Sequence, residues 1–324
     1  MTRPPVTPEL LDEYCQRFRN WGKWGRDDEI GTLNYIAPAK IVEAALLVRQ
    51  GKVLSLALPF DSNGPQTGRF GRVNPIHQMV ATGTDHVTGT QKLMDFETVP
   101  YGWGYADDLI TMYLQTGTQW DGLSHIFHHG KMWNGYDAKL VNSAGAARNG
   151  IEKMKDRVVT RGVFLDIARL KGVEFLEVGQ AVYAEDLDAA AAKARVTIGE
   201  GDIVLIRTGE MGRRLRERNW GPYAAGDAPG LSFTVAPWIA EKRIAGVASD
   251  TWGVEVRPNE LKGSFQPLHL VIVVNMGLLV GEIFYLEDLA RDCAQDGVYE
   301  FMFVAPPLPI TGAVGSPINP LAIK

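Results

Sequence analysis

Asp121 and His125 bring a carboxylate and an imidazole within four positions of each other, in the stretch Gln115-Thr116-Gly117-Thr118-Gln119-Trp120-Asp121-Gly122-Leu123-Ser124-His125. In an extended chain Gln115, Gln119, Asp121 and His125 have the same parity and share one face. Ten residue steps at roughly 3.3 Å each would spread the first and last of them over some 30 Å, so the chain must bend for all four to serve one centre. Gly117 and Gly122 supply places to bend, and each would cost about 1 kcal/mol in a helix interior, which favours a strand running into a loop. From spacing alone the pair reads either as a metal ligand with a neighbouring acid/base or as a capping Asp and a satisfied core His. Two further residues could complete a centre. His269 opens an apolar run, where an imidazole is ordinarily structural, and Glu282 stands in Gly281-Glu282-Ile283-Phe284, where a buried carboxylate needs a partner and a metal is one of few that suffice. Two carboxylates and two imidazoles match the mixed nitrogen and oxygen ligand sets of Zn²⁺, Mn²⁺ or Fe²⁺.

The bulk of the chain excludes several other classes. Its 324 residues are 45% hydrophobic and 22% charged, with a net charge of -5 and an isoelectric point near 5.7, so no basic footprint for nucleic acid is expected. The basic run Arg213-Arg214-Leu215-Arg216-Glu217-Arg218 reads as a solvated helix face. Only Cys15 and Cys293 are present, and the Met1-Thr2-Arg3-Pro4-Pro5 start lacks an apolar leader, so a cytoplasmic protein is expected. The apolar run from Leu268 to Val280 is too short to span a bilayer and belongs in the core. No G-x-S-x-G, P-loop, HExxH or dinucleotide fingerprint is present.

The elements that must position these residues follow from periodicity. Helices are expected over Pro8 to Trp21, with Thr7 as cap, over Pro38 to Arg49, Ala146 to Arg157 and Ala184 to Arg195, and from about Val235 to Arg243. Strands are expected at Val53 to Pro59, Ile76 to Thr82, Met94 to Val99, Leu109 to Leu114, Gly162 to Ala168, Asp202 to Thr208, Gly246 to Thr251 and Tyr299 to Val304. The strand at 109–114 is expected to deliver the Gln115 to His125 stretch. The run from His269 reads as a strand or as a helix ending near Gly277, and the Pro-rich tail reads as irregular. Strands dominate before residue 150 and alternate with helices after it, so the fold class is α/β with a mixed sheet. The expectation is one unit over 1–324, with 1–52 as a helical N-terminal extension.

These residues carry a family resemblance. Gln115 to His125 resembles the His-x-Gly-Thr-His-x-Asp-x-Pro-x-His signature of the putative cyclase family, which includes bacterial kynurenine formamidase and isatin hydrolase. Segments at 161–166, 201–209, 229–232 and 249–251 resemble family segments in order, and His269 and Glu282 sit where the family has its later histidine and glutamate. The resemblance implies a swivelling β/β/α fold, a homodimer or homotetramer, and metal-dependent hydrolysis of an amide, cyclic amide (lactam) or related small-molecule carbonyl substrate. It implies Asp121, His269 and Glu282 as metal ligands and His125 as acid/base; Glu282 is in addition expected as a catalytic residue. Gln115, Gln119 and Leu123 depart from the signature. A neutral glutamine oxygen suits Zn²⁺ less than an imidazole does, so one divalent ion, Mn²⁺ or Zn²⁺, on Asp121, His269 and Glu282 is the expectation. Gln115, Gln119, Trp120 and His129 are then the expected substrate contacts, with Trp133 and the aromatic loop 101–105 as an apolar wall. A small-molecule-binding homologue that has lost catalysis, or a lyase or cyclase using His125 and Glu282 as acid and base, are the alternatives.

Overall fold

The computed structural model describes residues 5–91 and 100–324, so the strand expected at Met94 to Val99 lies outside the described residues. A nine-stranded sheet organises the chain: β1 (Val53–Ser55), β2 (Gln119–Asp121), β3 (Val159–Asp166), β4 (Ile203–Arg207), β5 (Gly246–Ser249), β6 (Leu279–Glu282), β7 (Glu300–Val304), β8 (Gly315–Pro317) and β9 (Leu321–Ile323), in the order β1-β9-β7-β3-β4-β5-β6-β2-β8. Pairing is parallel from β3 through β4 and β5 to β6, and antiparallel on either side, which makes the sheet mixed. The central strands β4, β5 and β6 are buried throughout, as their continuous apolar runs require in a parallel core covered on both faces. The α/β class and the helical N-terminal extension are as expected.

The extension docks on the apolar run before β6. Helix α1 (Pro8–Arg17) starts where Thr7 Oγ1 accepts the Leu10 N–H, with Pro8 in the first turn, where its lack of an N–H loses no intrahelical bond. Just beyond it, Trp21 Nε1 donates to the Val274 carbonyl and the Asn20 N–H to that of Asn275. The run itself is helical, from Pro267 through Asn275 with a π-type turn, and stops at Gly277, whose φ of 72° suits glycine.

Several sequence expectations are corrected. Residues 146–157 form a short strand end and a 3-10 turn at Ile151–Met154 rather than a long helix. Asn149, at φ 59°, breaks the helix: its N–H goes to the Glu29 carboxylate and its side-chain amide to the Trp133 carbonyl. The strand expected at 109–114 spans Asp107–Thr111 and pairs with Ile76–Ala81 in a separate hairpin, so it does not deliver the Gln115 stretch. Apolar side chains of that hairpin, Ile76, Met79, Val80, Leu109 and Ile110, are exposed. The Pro-rich tail is not irregular: it supplies β8 and β9, and Pro317 is tolerated because β8 is an edge strand. A helix at Glu287–Asp296 was not foreseen. The basic run is only partly a solvated face, since Arg214 is buried with its Nε 2.7 Å from Glu210. Among the described residues no helix is long and apolar enough to cross a membrane.

Candidate metal centre and active site

The centre is built where β2 meets β6. Antiparallel register sets Glu282 opposite Gln119 and Val280 opposite Asp121, and residues opposite one another project to the same face. Gln119 and Asp121 therefore join Glu282 on one side of the sheet. Trp120 must point to the other, and it does. Its ring is fully buried against Phe284 and Phe303, its Nε1 donates to the Ala305 carbonyl, and it fills the space over Gly281, where an added Cβ would sit 2.4 Å from the indole. The expectation that Trp120 contacts substrate is thus overturned by strand alternation. The chain does bend at Gly117, and Gly122 opens a turn in which its carbonyl accepts the His125 N–H at 2.9 Å. Neither has a positive φ; they permit close approach of the Phe60 ring and the Val314 backbone.

His269 arrives from the helical turn that precedes β6. Ligand atoms of Asp121, His269 and Glu282 lie within 4.8 Å of one another, and all three side chains are buried. His269 Nδ1 is 2.6 Å from Glu255 Oε1, and that carboxylate also accepts the backbone N–H groups of Leu268 and His269. Its other ring nitrogen, Nε2, is in ion-pair range of Glu282 Oε1 at 3.5 Å but is buried without a hydrogen-bond partner among the described residues. A carboxylate that fixes one imidazole nitrogen while the other stays free is the arrangement that orients metal-binding histidines. Glu255 was missed in the sequence, although Val254-Glu255-Val256 carries the same signal as Glu282, an acid between apolar residues.

The electrostatics agree with a cation. Three buried carboxylates, Asp121, Glu255 and Glu282, face one imidazole, and such an excess of buried negative charge is costly without compensation. Burial and the neighbouring Asp121 charge push the Glu282 carboxyl well above the ordinary range. Burial works against charge on His269 as well, but hydrogen bonding to Glu255 and the two glutamate charges outweigh it and raise the imidazole to about 10. Gln119 Nε2 donates to Glu282 at 2.9 Å and reaches Asp121 at 3.4 Å, while its Oε1 is buried without a partner among the described residues. Turning the amide over, a change that exchanges oxygen and nitrogen in nearly the same envelope, would aim that oxygen at the carboxylates as a further metal donor. The residues present therefore fit one divalent ion.

His125 stands at the edge of the cluster, with Nε2 4.0 Å from Asp121 Oδ1 and its side chain 19% exposed. Burial holds its pKa below the ordinary imidazole value, against the pull of Asp121. Gln115 lies next door: its side-chain nitrogen would be 2.4 Å from a Cβ on Gly315, the residue paired with Asp121 across β8, and that nitrogen is buried without a partner among the described residues. His129 does not join the group. It packs on His128 and lines a cavity of about 390 Å³ with Asp12, Cys15 and Arg19 of the N-terminal extension, and that cavity holds none of the centre's residues. A positive φ of 48° in the turn after His128 carries it there. Trp133 is likewise a core residue, with Nε1 donating to Asp28, and the 101–105 loop presents Tyr101 to solvent.

Comparison with known proteins places this architecture. The sequence profile of the family described as "Putative cyclase" matches residues 54–256, a stretch that holds Asp121, His125 and Glu255, while His269 and Glu282 lie beyond it. A crystal structure described as that of a novel cyclase is 41% identical over 95% of this chain and 100% of that chain, with a TM-score of 0.85. The chain belongs to the putative cyclase family. Isatin hydrolase A from Ralstonia solanacearum shares the fold at 16% identity, covering 84% of this chain and 91% of that one with a TM-score of 0.58. Isatin hydrolase A from Labrenzia aggregata, in a structure with benzyl benzoate, does so at 18% identity over 88% and 97%, again with a TM-score of 0.58. No curated protein matches the chain.

Proposed function

We propose that the protein is a metal-dependent hydrolase of an amide, cyclic amide (lactam) or related carbonyl substrate, using one divalent ion, Mn²⁺ or Zn²⁺, held by Asp121, His269 and Glu282. The observation that carries this reading is the Glu255-oriented His269, whose buried Nε2 has no hydrogen-bond partner among the described residues and lies 3.5 Å from Glu282 Oε1, with Asp121 in the same cluster. Its fold neighbours, described as isatin hydrolases and as metal-dependent hydrolases, support the same class. A bound ion would supply a water of lowered pKa and polarise the substrate carbonyl. His125, whose pKa burial lowers against the pull of Asp121, is suited to take a proton and pass it to the leaving nitrogen, with Asp121 beside it to favour the charged form. Gln115 and Gln119, each with a buried amide atom that has no hydrogen-bond partner among the described residues, are suited to hold the substrate's polar groups.

We further propose that the protein acts as a homodimer or homotetramer. An isolated two-stranded hairpin is marginal in water, and the exposed apolar side chains of the 76–81 and 107–111 hairpin support a second copy as their cover. Sedimentation showing only monomer would oppose this. The reaction is tested by turnover of an amide and lactam panel in ¹⁸O-labelled water. Hydrolysis incorporates one labelled oxygen in the product, and turnover without label would replace hydrolysis with elimination or cyclisation.

A further inference from the structure

Where the N-terminal extension meets the body, a cavity of about 390 Å³ opens between the end of α1, the 3-10 turn at Gly31–Tyr35 and the helix Ala236–Lys242. It holds none of Asp121, His125, His269 or Glu282. Its walls carry three cations, Arg17, Lys23 and Arg243, and no carboxylate, in a chain whose net charge is -5. Apolar side chains complete the lining: Phe18 with Ile239, Ile244 and Met276, the last three buried. The volume falls within the range of about 300 to 1,000 Å³ typical of small-molecule sites.

The cations converge on Tyr35. Lys23 Nζ donates to the Tyr35 hydroxyl at 2.5 Å and lies 4.7 Å from the ring centroid, and the Arg243 guanidinium lies 5.1 Å from the same centroid. Two like charges thus share one ring. Lys23 has no carboxylate partner among the described residues, its other contact being the Trp24 ring at 5.1 Å. Arg17 and Arg243 pair with Glu13 and Glu200, whose side chains are 56% and 47% exposed and lie outside the lining. Exposed pairs of this kind are weak and leave a guanidinium free to take a better acceptor. Tyr35 supplies a second, independent sign. Its side chain is buried, yet its hydroxyl accepts from Lys23 and finds no acceptor for its own proton among the described residues. A buried donor without an acceptor is costly, and an anion in the cavity is what this group lacks.

We infer that this cavity is a binding site for a small phosphate monoester with an apolar body. The phosphate is received by Lys23, Arg243 and the Tyr35 hydroxyl, with Arg17 adding to the positive field, while the body lies against Phe18 and Met276. Phosphate matches the site better than a carboxylate does, because a monoester brings nearly two negative charges and three acceptor oxygens to three cations and a hydroxyl. The cavity also spans a seam. The Asn20 side chain donates to the Met276 carbonyl at 3.2 Å and the Thr32 N–H to that of Gly277 at 2.8 Å, so a ligand here touches both the extension and the run that carries His269.

The test is calorimetric titration of the protein with phenyl phosphate, inorganic phosphate, benzoate and phenol at constant ionic strength. The wild type is expected to bind one phenyl phosphate per chain, more tightly than any of the other three. Lys23→Gln and Arg243→Gln should each weaken it by about tenfold or more, roughly the worth of one charge-assisted hydrogen bond. Tyr35→Phe should weaken it severalfold, and Lys23→Arg should keep most of the affinity. Phenyl phosphate should raise the thermal midpoint of the wild type by mass action and leave those of the two Gln variants unmoved; ligand-free midpoints equal to the wild type show that these variants are folded. Asp121→Ala should bind phenyl phosphate as the wild type does. No binding of phenyl phosphate, binding unchanged by Lys23→Gln and Arg243→Gln, or binding lost in Asp121→Ala, which would place the anion at the metal centre, overturns the inference. Benzoate bound as tightly as phenyl phosphate overturns the assignment to a phosphate monoester.

Discussion

Replacing Glu255 with Gln removes a charge from the centre without substituting any proposed metal ligand. The Glu255 carboxylate accepts four donors: the N–H groups of Leu268 and His269 at 3.1 Å each, His269 Nδ1 at 2.6 Å, and Asn259 Nδ2 at 3.3 Å. A glutamine offers one oxygen and puts an NH₂ against donors that already need acceptors, so the ring of His269 loses its anchor. Outer partners of metal-binding histidines are worth about 10- to 100-fold in metal affinity, or roughly 1.4 to 2.7 kcal/mol. The loss of charge-assisted hydrogen bonds to a buried carboxylate should cost the fold about 1.5 to 3 kcal/mol as well. Competition titrations of Mn²⁺ and Zn²⁺ against a chelating dye, with the thermal midpoint recorded alongside, separate the two effects. A folded Glu255→Gln protein that binds metal as tightly as the wild type would refute the claim that Glu255 prepares His269 for an ion.

Three other outcomes follow from the same geometry. His125→Gln should reduce turnover by about 10²- to 10⁴-fold, the usual worth of a positioned acid/base, while leaving metal content unchanged; loss of the metal instead would make His125 a ligand. Trp120→Ala should destabilise the fold by about 3 to 5 kcal/mol, as a fully buried indole requires, and Trp120→Phe should leave substrate preference unaltered; a changed preference would return Trp120 to the substrate. Chelator-treated protein should lose stability as pH rises. His269 is held above its ordinary value, so its contribution is complete below about 6.5 and is lost as pH climbs toward about 10, and the raised Glu282 carboxyl acts in the same direction because the folded state keeps a proton that the unfolded chain releases. A thermal midpoint that rises between neutral and alkaline pH in the metal-free protein would contradict this.

Much of the fold was legible because its signals are local. The apolar runs at 162–168, 202–208 and 246–251 mark buried strands whatever their neighbours, and Thr7-Pro8 marks a helix start. Asp121, His269 and Glu282 could be singled out because an ionisable group in an apolar or Gly-broken segment needs a partner, though nothing in their spacing could show that β2 and β6 would be neighbours. Trp120 was misread for a different reason. The parity that put Gln119 and Asp121 on one face also sent Trp120 to the other, and proximity in sequence concealed it. Glu255 carried the right signal but lay outside the resembling segments.

The central claim is the ion itself. Elemental analysis of protein purified without added chelator should find close to one Mn²⁺ or Zn²⁺ per chain, and Asp121→Ala should bring that figure to near zero without unfolding the protein. Protein that contains no divalent metal yet hydrolyses amides at full rate would contradict the account.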